Sequence, residues 1–135
     1  MAIPTSRAST SRGQALRATP DAMAGLLCAL QAGKGLSASS RRLLLGLMTT
    51  SKTGTDRIKG LLPKGAIVAH KTGSSGTVNG LTRATNDAGL VTRPDGRHLA
   101  IVVSDTWVDE TTRDTVIAKI AWGAWDDRAA LEGCR

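Results

Sequence analysis

Ala66-Ile67-Val68-Ala69-His70-Lys71-Thr72-Gly73-Ser74 is the stretch that decides how the rest of this sequence is read. Its first five residues are a short β-branched apolar run, the pattern of a strand. The four that follow carry chemistry. Side chains alternate along a strand, so Thr72 and Ser74 project to one face, where their hydroxyls are placed to hold a carboxylate together. Lys71 adds a positive charge at the strand end. Gly73 lets a ligand approach the backbone closely, and the Ser74 N–H, on an edge strand, is a donor for a developing oxyanion. Lys-Thr-Gly alone is a weak signal, because it occurs by chance at the ends of many strands.

Working outward, Gly73-Ser74-Ser75-Gly76 leads into a loop through Asn79-Gly80. Gly89–Thr92 and Leu99–Val103 read as two further strands. Arg93-Pro94-Asp95-Gly96 between them is a turn, since proline presets its first corner and glycine absorbs its last, which makes the two strands a hairpin. A closing helix is expected to start at Asp109 or Glu110, with acids favourable in its first turn. Its buried side would be Val116, Ile117, Ile120, Ala121 and Ala124; Trp122 and Trp125 read as packing residues.

Upstream, Thr19-Pro20 is a helix start, with Met23, Leu26, Leu27 and Leu30 on one face and Gly33 and Gly35 as the stop. A second helix from Ser37 or Ser39 is expected to turn Leu43, Leu44, Leu47 and Met48 inward and to end at Thr49-Thr50-Ser51. Between Thr53 and Pro63 lies a tight, glycine-punctuated connection, with one short helical turn expected around Asp56–Ile58. Two helices, a three-stranded antiparallel meander and a C-terminal helix make an α+β arrangement.

The chain has 135 residues, one ordinary domain in length, with three Trp and neither Tyr nor Phe, so the core must be aliphatic. Lys and Arg number 18 against 11 acids, for a net charge of +7. Arg7, Arg12 and Arg17 meet no acid before Asp21, so residues 1–18 read as a disordered basic leader and 19–135 as the domain. Nucleic-acid readers interleave aromatics with their basic residues, and none are interleaved here, so no nucleic-acid partner is expected. No apolar run approaches the ~20 residues of a membrane span. The N-terminus lacks the apolar block of a secretory signal, so the chain as written reads as cytoplasmic. Cys28 fits a small core residue and Cys134 a frayed terminus; two cysteines make neither a disulfide framework nor a metal site. No cofactor is indicated.

Lys-Thr-Gly is one of three signatures of class A β-lactamases and penicillin-binding proteins. The likeness here runs well past it. Ile58-Lys-Gly-Leu-Leu-Pro63, Val68-Ala-His-Lys-Thr-Gly-Ser-Ser-Gly76, Ala84-Thr-Asn-Asp-Ala-Gly-Leu90 and Arg93-Pro-Asp-Gly-Arg-His-Leu-Ala-Ile-Val-Val103 follow in order, and the stretch from about Thr19 to Trp125 resembles the C-terminal portion of a class A serine β-lactamase. Gly76–Arg83 resembles the branch with an extended loop after Lys-Thr-Gly. The resemblance implies a β-lactamase/transpeptidase-like fold, of which this chain carries part. It also implies β-lactam hydrolysis, hence antibiotic resistance, a β-lactam substrate, and a periplasmic or secreted setting for the family. Lys71, Thr72, Gly73 and Ser74 would belong to the pocket wall, Lys71 acting electrostatically and the Ser74 backbone N–H as oxyanion donor. Arg113 is the candidate for an arginine completing the carboxylate site, with Arg83 second.

Several of the family's parts are not found in this sequence. No serine is followed three residues later by lysine; Thr49-Thr-Ser-Lys52 comes nearest and reads better as a helix end. Ser-Asp-Asn is missing, Ser104-Asp105-Thr106 being an echo only. Glu110 and Glu132, the only glutamates, follow Lys-Thr-Gly and do not match the deacylating residue. No spacing supports a triad from Ser104, His98 and Asp105. The expectation is therefore a truncated family member, inactive alone, with a non-catalytic binding or complementing fragment as the alternative. The last strand would leave an open edge, which predicts self-association.

Overall fold

A computed structural model describes residues 17–127 and Cys134. The elements run α1 (Pro20–Gln31), α2 (Ala38–Thr49), β1 (Ile67–Ser74), β2 (Thr77–Val78), β3 (Leu81–Thr82), β4 (Thr85–Thr92), β5 (His98–Asp105), β6 (Val108–Asp109) and α3 (Arg113–Asp126). The disordered leader expected over 1–18 lies, but for Arg17 and Ala18, outside the described residues.

The principal sheet is antiparallel in the order β1-β4-β5, the expected meander, with Lys71 across from Ala88, Thr72 from Asp87 and Ser74 from Thr85. All three strands are longer than the sequence pattern, because the polar ends carry ladder bonds that apolar periodicity does not register. Gly96, at φ 84°, closes the β4–β5 turn, in which Arg93 N–H donates to Arg97 O at 2.8 Å. The loop after Lys-Thr-Gly is ordered into a second sheet, β2-β3-β6. Its turn is Asn79-Gly80, both at positive φ, which suits a tight two-residue hairpin.

Period-two alternation divides the core between the two faces of the principal sheet. Val68, Val91, Ile101 and Val103 point to one side, with Ile58 and with Ile117 and Ala121 of α3. Leu90 and the partly buried Ala100 and Val102 point to the other, against Leu27 and Leu30 of α1.

α1 starts as expected: Thr19 caps it, its hydroxyl accepting from Ala22 N–H at 3.1 Å. Leu26 is exposed rather than inward. α2 departs further. Leu43, Leu44 and Leu47 are all exposed; Met48 packs on the core as expected, and Leu45 joins it there. Arg41 is the reason: its guanidinium donates to Leu30 O and Gln31 O at 2.7 and 2.6 Å, and that clamp onto the end of α1 sets which side of α2 turns in.

The 53–63 connection is a series of hydrogen-bonded turns, without the helical turn expected at Asp56–Ile58. α3 begins at Arg113, not at Asp109 or Glu110. Asp109 belongs to β6, paired with Leu81, and Glu110 N–H donates to Gly80 O at 3.0 Å, so the chain still runs extended along the small sheet here and helical backbone starts only at Arg113. Val116 and Ile120 are exposed where burial was expected, while Ile117 and Ala121 are buried. Trp125 packs beside the core and under the Arg93 guanidinium, 4.6 Å from its ring centre; Trp122 is exposed.

The cysteine reading is overturned. Cys28 and Cys134 are joined in a disulfide across 106 residues, with Cα atoms 4.9 Å apart. α1 brings Cys28 to the edge of the second core cluster, and Cys134 packs against that same cluster. A pairing over such a separation leaves no trace in local pattern.

Candidate functional site

The site is built at the end of β1. His70, Thr72 and Ser74 share one face of the sheet by alternation, and Lys71 lies on the other. The turn from Gly54 to Ile58 lies over the first of these faces. Its contact is close: a Cβ on Gly54, whose φ is 62°, would stand 2.3 Å from the Thr72 methyl. Thr53 and Thr72 share a hydroxyl–hydroxyl hydrogen bond of 2.9 Å, and Ser51 bonds Thr53 at 3.1 Å.

This turn delivers a buried cation. Arg57 is 6% exposed, and all three of its guanidinium nitrogens are engaged. Nε donates to Asp114 Oδ1 at 2.7 Å, Nη1 to Asn86 O at 2.9 Å and Gly73 O at 3.2 Å, and Nη2 to the Ser74 hydroxyl at 2.6 Å. Asp114 compensates the charge and two carbonyls fix the plane, which is the fork geometry that suits arginine and not lysine. The Lys71 ammonium is exposed and donates to the Thr72 carbonyl.

Backbone donors are oriented by the pairing. Ser75 N–H points into the ladder, donating to Ala84 O at 2.9 Å. Antiparallel strands turn successive amides to opposite sides, so the Ser74 N–H faces the edge of β1 that no strand covers among the described residues. Lys71, Thr72, Gly73 and Ser74 are thus contiguous, with two hydroxyls, one outward amide and two cations about them.

Arg113 stands beside the site without reaching Ser74, its Nε 3.8 Å from the Asp114 oxygen that Arg57 holds. Its Nη1 donates to the buried Thr82 hydroxyl at 2.8 Å, which fastens α3 to the small sheet. Arg83 stacks on Trp107, 5.6 Å from the ring centre. The guanidinium on Ser74 is that of Arg57, which sequence reasoning missed. The only local signal was a basic residue in a turn punctuated by Gly54 and Gly60. No group of three or more His, Cys, Asp or Glu gathers in metal-binding geometry among the described residues.

The model of the beta-lactamase enzyme family matches residues 2–127. The extended-spectrum beta-lactamase PER-1 of Pseudomonas aeruginosa is 47% identical over 92 residues, covering 67% of this chain and 30% of that protein. Beta-lactamase VEB-1, also of Pseudomonas aeruginosa, is 39% identical over 113 residues, 81% of this chain and 38% of its own length. Among solved structures, a beta-lactamase from Chitinophaga pinensis superposes with a TM-score of 0.75 at 54% identity, covering 81% of this chain and 41% of that one. TLA-1 extended-spectrum beta-lactamase gives 0.75 at 45% identity, with 80% and 40% covered. The chain thus spans about a third of the length of the curated relatives it matches.

Proposed function

The chain belongs to the beta-lactamase enzyme family, and on that premise we propose that Lys71, Thr72, Gly73 and Ser74, with Arg57, form a pocket wall that binds the carboxylate of a β-lactam. The observation carrying this reading is the hydrogen bond from the buried Arg57 guanidinium to the Ser74 hydroxyl. Thr72 and Ser74 offer hydroxyl donors, Arg57 and Lys71 supply the charge, and the outward Ser74 N–H is one donor for an oxyanion. Arg57 takes the part first assigned to Arg113.

In this reading the chain by itself binds without opening the ring. Acyl transfer needs an activated nucleophile, and no Ser-x-x-Lys occurs in the sequence. The Cys28–Cys134 bond supports an oxidising compartment in place of the cytoplasm. The side of β5 left open among the described residues supports self-association through that edge.

Titrating the chain with benzylpenicillin, followed by amide chemical shifts, tests the site. Shifts should concentrate at Lys71–Ser75. Arg57→Ala should weaken binding by roughly tenfold or more, since a hydrogen bond to a charged group is worth about 1.5–3 kcal/mol. Arg113→Ala should leave the affinity near that of the unsubstituted chain. Equal losses in both variants, or no binding at all, overturn the assignment. Turnover of a chromogenic cephalosporin that disappears in Lys71→Ala overturns the non-hydrolytic part. A compact monomer on size exclusion at micromolar concentration removes the edge association.

A further inference from the structure

Behind the Arg57 site lies a second polar layer that the proposed binding does not use. His70 and Asp87 are both fully buried, at 0% exposure, on the face that carries the aliphatic cluster of Val68, Val91 and Val103. Asp87 stands on β4 directly across from Thr72, and His70 precedes Thr72 by one step on the same face, so the two meet diagonally. His70 Nδ1 lies 2.9 Å from both carboxylate oxygens of Asp87. Room for the imidazole comes from Gly89: a Cβ there would stand 2.8 Å from the His70 Cβ and 2.9 Å from Ala69 O.

A buried carboxylate is costly unless its lone pairs are filled, and the second donor to this one is informative. Asp87 Oδ2 accepts from the backbone N–H of Ile58 at 3.2 Å. That amide belongs to the peptide unit joining Arg57 to Ile58. Asp87 therefore holds the main chain at the base of the Arg57 side chain, while Arg57 reaches over the next rung of the same two strands to Gly73 O, Asn86 O and Ser74. His70 in turn fixes the Asp87 carboxylate in the orientation that meets Ile58.

We propose that the His70–Asp87 pair is the positioning element of the carboxylate site, fixing the Gly54–Ile58 turn through the Ile58 amide and so holding the Arg57 guanidinium against Ser74. This rests on the reading of Arg57 as a carboxylate-binding residue, and the pair itself touches no ligand.

The Arg57 Nε–H, buried against Asp114, provides a spectroscopic signature that can be followed by hydrogen exchange in the full-length chain. In Asp87→Ala its exchange should accelerate roughly tenfold or more, a tenfold change being 1.4 kcal/mol of local opening. Benzylpenicillin affinity should fall by a similar factor, and adding Arg57→Ala should weaken it no further than Arg57→Ala alone. Asp87→Asn keeps one acceptor oxygen and should restore part of both losses. Leu27→Ala, a cavity on the opposite face of the sheet, controls for general destabilisation: it should lower the melting temperature and leave the Nε–H signal as it was. If Asp87→Ala does not fold, His70→Ala reads the same signal with the same expected acceleration. Exchange at the wild-type rate in a folded Asp87 or His70 variant overturns the proposal. So does equal acceleration in Leu27→Ala. Absence of penicillin binding by the unsubstituted chain defeats the carboxylate reading alone, and the exchange arm still decides the positioning.

Discussion

Cutting the Cys28–Cys134 bond offers a measurement of how the chain's stability is distributed. The bond closes a loop of 106 residues, which contains every described strand and the whole of α2 and α3. In the chain-entropy account, opening a loop of roughly 100 residues returns about 4.7 kcal/mol to the unfolded ensemble at 25 °C, and native disulfides realise about 2–5 kcal/mol on removal. Against the ordinary domain stability of about 5–15 kcal/mol, this is a large share. For a domain of this size it corresponds to a melting-temperature drop of roughly 10–20 °C.

Two perturbations separate the contributions. Reduction opens the loop but leaves both thiols in place, Cys134 still able to pack beside Leu27, Leu30 and Leu90. Cys28→Ser opens the loop and also puts a hydroxyl at the core's edge. Melting temperatures followed by circular dichroism should therefore fall in the order oxidised, reduced, Cys28→Ser, and only the wild-type chain should respond to reductant. Thiol titration of the untreated chain in denaturant should find no free thiol. Two free thiols in protein purified without reductant, or coincident oxidised and reduced melts, would refute the reasoning.

Gly89→Ala should destabilise by about 1–3 kcal/mol in denaturant titrations, as overpacking against the His70 Cβ and Ala69 O does. Gly73→Ala, whose nearest neighbour would be 3.9 Å away, should be tolerated, and matching losses in the two would count against the packing account. Ile58→Ala, at a fully buried position, should cost about 2–5 kcal/mol by the same measurement. Hydrogen bonds from the Thr111 hydroxyl and then its amide hold the Asp109 carboxyl below the ordinary carboxylate range. Its contribution is thus present above the unfolded carboxyl's pKa and is lost as pH falls through the lower folded value. A carbon-detected titration should place Asp109 below an ordinary aspartate, and Thr111→Val should move it back up; an unmoved Asp109 in that variant would remove the hydroxyl as the cause.

What local chemistry dictates was legible in the sequence. Thr19-Pro20 starts a helix because a hydroxyl acceptor and a preset φ act within one turn. Arg93-Pro-Asp-Gly96 makes a hairpin because its dihedrals are set by its own residues. Alternation placed Thr72 and Ser74 on one face of β1, and the family likeness rests on residues that can be quoted in order. These depend on neighbours a few positions apart, so the sequence by itself determined the meander, the flanking helices and the motif strand.

Tertiary structure decided the rest, because those choices are competitions between distant groups. Leu43, Leu44, Leu45 and Leu47 offer α2 alternative inward faces, and only the Arg41 clamp onto α1 selects one. Asp109 has the charge for a helix start, but pairing with Leu81 in the small sheet keeps it extended. Arg57 looked like any polar turn residue until folding surrounded it with Asp114, Asn86 and Ser74, while Arg113 was drawn to Thr82. The same holds for Cys28 and Cys134. A buried charge or a disulfide gains its energy from partners that only the completed fold brings within reach.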